Sequence, residues 1–236
     1  MDVNGKKAVV FGGTSGIGLA TSRKLAEKGA RVVAISRDPS KATGLPAGVE
    51  VKACDVRDEA AMAALLKGEA PYDILVSAAT GGDRALGPFL QMDMAGFKGS
   101  FDKLWGYANV VRYGAEHLAE GGSITLVSGA PAKNCRPGQI ALSSVGGAVE
   151  AFARAIAREI APVGKRMNVV SPGTIDTPMV GLEGEERTAF YAKATGSNLI
   201  PRAGTAEEVA DGLIFVIEND FVTGTTVEID GGWILS

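Results

Sequence analysis

Residues 7–30 read KAVVFGGTSGIGLATSRKLAEKGA, and this stretch decides the fold class. The short apolar run KAVVF predicts a buried strand, and the amphipathic run from about Gly16 predicts a helix. Gly12, Gly16 and Gly18 lie at the turn between them. Without side chains there, backbone N–H groups at the helix N-terminus can approach a pyrophosphate. The stretch therefore predicts a dinucleotide site, and the alternative is that the glycines only relieve crowding in the turn.

The same alternation of strand and helix continues along the chain. Its apolar runs are nearly continuous Val, Ile, Leu and Ala, which is typical of strands buried on both faces by helices. With no repeat and no long linker, residues 1–236 are predicted to form one Rossmann-type α/β domain, a doubly wound parallel sheet with helices on both faces. The further predicted strands are RVVAIS, VEVKAC, DILVSA, SITLVS, MNVVSP and TTVEID, and the further predicted helices lie near 60–66, 97–118 and 142–160.

Composition excludes several classes of function. The chain has 24 Lys and Arg against 27 Asp and Glu, a net charge of −3, so no basic surface predicts nucleic acid or membrane binding. Two cysteines, Cys54 and Cys135, lack metal-ligand spacing, and His117 is the single histidine, so no metal site is expected. The N-terminal apolar run is too short for a signal peptide, and we expect a cytoplasmic protein.

Two further segments bear on ligands. The second predicted strand ends in Ser36 and Arg37, where a dinucleotide fold reads the adenosine ribose. An arginine there suits a 2′-phosphate and favours NADP(H) over NAD(H), unless Arg37 is merely a surface residue. Residues 179–199 are rich in Gly, Glu and Lys, and either form a mobile lid that carries Tyr191 to the cleft or a surface insertion.

Over nearly its full length the chain resembles the short-chain dehydrogenase/reductase (SDR) family. FGGTSGIG matches the family's TGxxxGxG with Phe11 in place of threonine, and CDV, PGTIDT and VTGTTVEIDGG match further motifs in the same order. The resemblance implies a homo-oligomer, a dimer or a tetramer, that acts on a small molecule. It also implies a set of cofactor-binding residues: Gly12, Thr14, Ser15, Gly16, Ile17, Gly18, Ser36, Arg37, Asp55, Val56, Ala78, Ala79, Pro172, Gly173, Ile175 and Thr177.

By the same resemblance, carbonyl reduction uses a serine, a tyrosine and a lysine, with an asparagine on the preceding long helix. Ser128 stands at the serine position, but the tyrosine position holds Leu142 and the lysine position holds Gly146. Neither can exchange a proton. Lys103 stands at the asparagine position. It is either a surface lysine beside Asp102 or a cation that points into the cleft and supplies the proton.

Weaker candidates surround these residues. Arg136 and Lys133, in the loop after Ser128, either bind an anionic or carbonyl group of the substrate or are solvated. Tyr107, four residues after Lys103, is expected to pack in the core, and Cys135 and His117 are not expected to be catalytic.

Three functions follow. The leading one is an NADP(H)-dependent oxidoreductase with an atypical active site, which reduces a small carbonyl, enone, imine or iminium substrate. The others are a non-redox isomerase or cyclase, and a non-catalytic NADP(H)-binding protein.

Overall fold

A parallel sheet of seven strands forms the centre of the computed structural model, which describes residues 1–80, 82 and 84–236. The strand order is β3-β2-β1-β4-β5-β6-β9, so the order reverses between β1 and β4. A separate pair, β7 and β8, lies outside this sheet. The strands are β1 Lys7–Phe11, β2 Arg31–Ser36, β3 Glu50–Ala53, β4 Tyr72–Ser77, β5 Leu118–Val127, β6 Arg166–Pro172, β7 Ile175–Asp176, β8 Gly204–Thr205 and β9 Thr226–Ile229.

Helices cover both faces of the sheet. Successive residues of a strand point to opposite faces, and in β1 the buried Val9 packs into one hydrophobic core while Val10 packs into the other. The first core includes residues of α2, α4 and α5, and the second includes residues of α1 and α7. The predicted doubly wound fold is therefore confirmed. The helices are α1 Gly16–Glu27, α2 Glu59–Glu69, α3 Met94–Gly99, α4 Asp102–Gly114, α5 Ile140–Ile160, α6 Gly184–Thr195 and α7 Ala206–Glu218.

The prediction of one long helix over 97–118 was wrong. The structure has α3, capped by the Asp93 side chain, then a break before α4, and Leu118 already belongs to β5. The Tyr72 hydroxyl donates a hydrogen bond to the Gly114 carbonyl at the C-terminus of α4. A Cβ at Gly114 would lie 2.7 Å from Leu75, so the helix ends against the sheet where only glycine fits.

Two helices were not predicted. In α7 the run GLIFVI resembles a strand, but Thr205 and Glu208 form a capping box at its start, and that pair of residues was the available signal. In the segment 179–199, α6 places Tyr191 and Thr195 in the interior.

Helix α5 is long and apolar enough, by length and composition alone, to cross a membrane. Core helices of water-soluble domains share these properties. Here α5 packs against the sheet with Val145, Val149, Ala153 and Ala157 buried.

Candidate active site

The glycine turn after β1 is tightly packed against the next strand. A Cβ at Gly12, which has φ of 76°, would lie 2.9 Å from the Ala79 nitrogen, and one at Gly18 would lie 2.1 Å from the Gly12 carbonyl oxygen. Only glycine is compatible with these approaches. The N-cap of α1, Ser15, makes no side-chain hydrogen bond. The N–H groups of the first turn are thus left for an incoming acceptor such as a pyrophosphate.

The segment after β6 lies over this turn. The Thr177 side chain is 3.5 Å from the position of a Cβ on Gly16, which brings the two motifs together as the resemblance implies. Pro172 is buried at the end of β6. A Cβ on Gly173 would lie 2.7 Å from the Asp230 carbonyl oxygen, so the chain leaves β6 in close contact with the C-terminal segment.

Tyr191 fixes this segment from α6. Its hydroxyl donates to the Ile175 carbonyl and accepts from the Thr177 N–H, both at 3.3 Å, and its side chain is 8% exposed. Burial raises the pKa of Tyr191. In this arrangement Tyr191 contacts the residues expected to bind the cofactor, whereas the sequence left open a lid that carries Tyr191 to the cleft and a surface insertion.

Polar groups gather where the adenosine end of a dinucleotide is expected. The Ser36 hydroxyl oxygen is buried and has no hydrogen-bond partner among the described residues. Arg37, Arg57 and Arg84 line one cavity of about 630 Å³, together with Asp102. The Asp55 carboxylate accepts from Arg57 at 2.7 Å, and these bonds lower the pKa of Asp55. The site can therefore hold an anionic group next to a ribose.

Backbone hydrogen bonds and close packing join the ends of β1 and β4 and hold α4 near them. Ala78 donates its N–H to the Phe11 carbonyl at 2.9 Å, which extends the pairing of β1 and β4 past the strand ends. The Val56 carbonyl accepts from Asn109 of α4 at 3.0 Å, and a Cβ on Gly106 would lie 2.5 Å from the Val56 side chain. Helix α4 therefore packs closely against this edge of the sheet.

Lys103 is partly buried at this edge of the sheet. Its ammonium donates to the Ser128 carbonyl at 2.9 Å and lies 5.6 Å from the centre of the Tyr107 ring. Burial and, to a smaller extent, the charge of Arg84 together lower the pKa of Lys103 to about 7. Asp102 contacts Arg57 at 3.5 Å. The geometry favours the cleft interpretation of Lys103 over the surface pair with Asp102.

Tyr107 is fully buried, and its hydroxyl donates to the Val127 carbonyl at 3.0 Å. Burial raises the pKa of Tyr107. A phenol that is already bonded and cannot easily ionise fits the expected packing role.

Ser128 follows β5 and is 6% exposed. Its hydroxyl donates to the Glu150 carboxylate of α5 at 3.1 Å. Glu150 was not among the predicted residues. The available signal was its spacing, because it lies on the same stripe of α5 as Gly146, Val149 and Ala153, which predicts an inward-facing position for an acidic side chain.

No room exists for a side chain at Gly146. A Cβ there would lie 2.9 Å from the Cβ of Ala132 and 3.4 Å from the Gly129 carbonyl oxygen. The 3₁₀ turn Ala130–Ala132 thus fills the space into which a lysine side chain would start.

The loop after Ser128 turns towards the C-terminal segment. The Arg136 guanidinium lies 4.0 Å from the centre of the Trp233 ring and donates to the Ser236 hydroxyl at 2.6 Å. Lys133 pairs with Glu228. Both cations therefore have protein partners, and neither is directed by these bonds towards Ser128. Cys135 is exposed.

Comparison with known proteins is consistent along the whole chain. A family model described as enoyl-(acyl carrier protein) reductase matches residues 12–234. Carbonyl reductase family member 4 of Danio rerio is 32% identical over 95% of this chain and 96% of its own length. A small-chain dehydrogenase solved in complex with NADPH has a TM-score of 0.83 at 27% identity, over 99% of this chain and 100% of that one. A blue fluorescent protein from a metagenomic library, also with NADPH, has a TM-score of 0.85 at 25% identity, with 99% of each chain covered.

Proposed function

Because the chain belongs to the short-chain dehydrogenase/reductase family and is an SDR-type oxidoreductase, we propose that it acts on a small molecule with NADP(H) and without a Tyr/Lys pair. The proposed substrates are a small carbonyl, enone, imine or iminium compound. The observation that carries this proposal is the partly buried ammonium of Lys103, 2.9 Å from the Ser128 carbonyl, at the edge of the sheet that the glycine turn also borders.

Residues of the described structure fit a dinucleotide. The open first turn of α1 suits a pyrophosphate, and the unpartnered Ser36 hydroxyl suits a ribose oxygen. Arg37, exposed at the end of β2, suits a 2′-phosphate. Relatives solved with NADPH support the same cofactor. When bound, the nicotinamide supplies or accepts the hydride.

The chain's own residues must then position the acceptor and manage charge. Ser128 would hold the substrate oxygen, and Lys103, with a pKa of about 7, can be either a proton donor or a proton acceptor near neutral pH. An iminium carbon needs no proton when hydride arrives, whereas a ketone does. The missing tyrosine therefore changes which acceptors are feasible.

Turnover tests this proposal directly. NADPH oxidation should be measured with panels of ketones, enones and cyclic imines. Turnover of any panel is expected, and tight NADPH binding without turnover would favour the non-redox enzyme or the binding protein instead. Rearrangement of a substrate at constant NADPH absorbance would identify a non-redox enzyme.

Cofactor choice has its own test. Arg37→Ala should weaken NADPH binding roughly tenfold or more and leave NADH binding nearly unchanged, because only NADPH carries the 2′-phosphate. Arg31→Ala is the matched control, since Arg31 is an exposed arginine at the opposite end of β2. Equal effects of both changes would remove Arg37 from the site.

We also infer that the protein assembles as a dimer or tetramer of identical chains. The family resemblance implies this assembly, and Trp105 on α4, which is 61% exposed, is one side chain that it could cover. Light scattering after size exclusion would measure the mass, and a monomer at micromolar concentration would contradict the inference.

A further inference from the structure

A carboxylate lies inside the protein beside the proposed active site. Glu150 is 5% exposed and faces the sheet from the inner stripe of α5, among Gly146, Val149 and Ala153. Burial of an ionised carboxylate is unfavourable unless a cation or several hydrogen bonds compensate. A hydrophobic side chain would pack there at lower cost, so its position points to a role other than stability.

The hydroxyl of Ser128 is the one hydrogen-bond partner of Glu150 in the described residues, at 3.1 Å. None of the ion pairs in that part of the chain includes Glu150. A hydroxyl has one proton and two lone pairs. Because its proton is directed to the Glu150 carboxyl oxygen, Ser128 presents lone pairs to a ligand and accepts from an O–H group.

Other titratable groups on the elements packed against α5 have partners of their own. The groups on α4 bind either backbone carbonyls at the end of β5 or residues of α2 and the loop before it. Lys133, just after the 130–132 turn, and Arg166 of β6 each pair with an acidic residue of the C-terminal segment. The pairs are Lys103 with the Ser128 carbonyl, Tyr107 with the Val127 carbonyl, Asp102 with Arg57, Tyr113 with Glu59, Lys133 with Glu228, and Arg166 with Asp220.

We propose that Ser128 and Glu150 form a proton relay, in which Glu150 accepts the substrate's proton through the Ser128 hydroxyl. The relay rests on the proposed function and narrows its substrate class to an alcohol and the corresponding carbonyl compound. In oxidation, the alcohol O–H proton passes to Ser128 Oγ while the Ser128 proton passes to the Glu150 carboxylate. When the alcohol C–H bond breaks, NADP⁺, if bound, would accept its hydride, and a C=O bond would form.

Reduction is the same path reversed. Protonated Glu150 returns its proton through Ser128 to the oxygen of the ketone as hydride arrives. Glu150 touches neither substrate nor cofactor and acts through Ser128. The relay provides a route for proton transfer in addition to Lys103, with Leu142 and Gly146 at the positions of the tyrosine and lysine.

The first test needs no substrate. Kd values for NADP⁺ and NADPH should be measured for the intact chain, Glu150→Gln and Glu159→Gln, the last being an exposed glutamate on the same helix. The oxidised ring carries a positive charge that a nearby carboxylate stabilises. We expect Glu150→Gln to reduce the preference for NADP⁺ relative to NADPH by roughly tenfold and Glu159→Gln to leave it unchanged.

Thermal unfolding of each variant shows that it is folded, and Glu150→Gln can still accept from Ser128. An unchanged ratio in folded Glu150→Gln overturns the relay. Failure of the intact chain to bind either cofactor overturns the proposed function as well, so the two failures are distinguishable.

The second test separates relay from structure. Ser128→Ala should lower kcat at least about a hundredfold with cyclohexanol, cyclohexanone and a panel of secondary alcohols, while the NADP⁺ to NADPH ratio stays at that of the intact chain. Glu150→Gln should lower kcat similarly with KM changed by less than about threefold. Glu150→Asp should restore part of the loss.

The pH profile gives the last readout. In oxidation, the dependence of kcat on pH should differ between the intact chain and Glu150→Gln, because only the intact chain has a carboxyl group at this position to accept the proton. An enzyme that reduces cyclic imines but oxidises no alcohol of the panel overturns the relay. No turnover of alcohols, ketones, enones or imines overturns the proposed function with it.

Discussion

Lys103 brings a positive charge into a part of the protein where charge is unfavourable. Its folded pKa of about 7 lies below the ordinary value of 10.5, because burial and Arg84 disfavour the cation. Between these two values the unfolded chain binds a proton that the folded chain does not. Stability therefore rises with pH across this window and loses that contribution below about pH 7.

Replacing Lys103 with methionine removes this dependence. We expect the free energy of unfolding of the intact chain to increase from pH 7 to pH 9.5 by about 1 kcal/mol or more relative to Lys103→Met. Urea unfolding at several pH values measures it. Lys67→Met, at an exposed lysine of α2, should follow the intact chain. Parallel curves for all three proteins would contradict a lowered pKa at Lys103.

Two adjacent glycines of α5 differ in what surrounds them. A Cβ at Gly146 meets Ala132 at 2.9 Å, whereas one at Gly147 meets nothing within 4 Å. Gly146→Ala should therefore lose about 1–3 kcal/mol through overpacking, and Gly147→Ala should gain up to about 1 kcal/mol through helix propensity. Chemical denaturation compares them. The same clash predicts that Leu142→Tyr with Gly146→Lys will not create an ordinary ketone reductase, contrary to what motif matching alone predicts.

Residue-level prediction had a physical limit. The carboxyl edges of the strands gather the motif residues, so sequence order could predict that Thr177 lies near Gly16, whereas it left two alternatives for Lys103. The contact of Ser128 with Glu150 joins two elements through side-chain directions, and these depend on how α5 is rotated against the sheet. The positions of the motifs along the sequence do not determine how α5 is rotated, so they could not predict this contact.

At the level of elements, α6 holds the segment that follows β6. The Tyr191 hydroxyl makes two hydrogen bonds to residues 175–177. Tyr191→Phe should weaken NADPH binding about threefold to tenfold and lower stability by about 1 kcal/mol, because that segment loses its fixed position. Fluorescence titration and thermal unfolding measure these. Tyr113→Phe, at a tyrosine bonded to the exposed Glu59, is the control and should do neither.

Two side chains cap the N-terminus of α7. Thr205 accepts from the Glu208 N–H at 3.1 Å, and the Glu208 carboxylate accepts from the Thr205 N–H at 2.8 Å. Thr205→Ala should lower stability by about 1 kcal/mol, or Tm by about 2–4 °C. Thr43→Ala, in an exposed loop, should leave Tm unchanged. A Tm unaffected in both variants would show that packing alone sets this helix end.

Elements were predictable where local signals agreed. Strand β1 has the expected bounds and helix α1 begins at the expected residue, because the apolar pattern and the glycine turn indicate the same structure. The break between α3 and α4 was missed because Ser100 and Phe101 carry no strong helix-breaking signal, and the ends of both helices depend on contacts with the sheet.

For the whole molecule, one sheet with a core on each face predicts one cooperative unit. Trp105 lies on α4 and Trp233 near the C-terminal end, so they report on different parts of the fold. Urea transitions of Trp105→Phe and Trp233→Phe, each followed by the remaining tryptophan and by far-UV circular dichroism, should coincide by both probes within each variant. Two separated unfolding transitions would contradict the prediction of a single domain.

The contact of Gly146 with Ala132 also constrains the order in which such a site can change over generations. A chain that acquires lysine at position 146 while the Ala130–Ala132 turn stays in place loses packing before it gains chemistry. The turn must move first, and that move alone leaves a void. Neither the lysine nor the movement of the turn is favourable by itself. A chain that acquires a Tyr/Lys site by single changes therefore passes through less stable proteins.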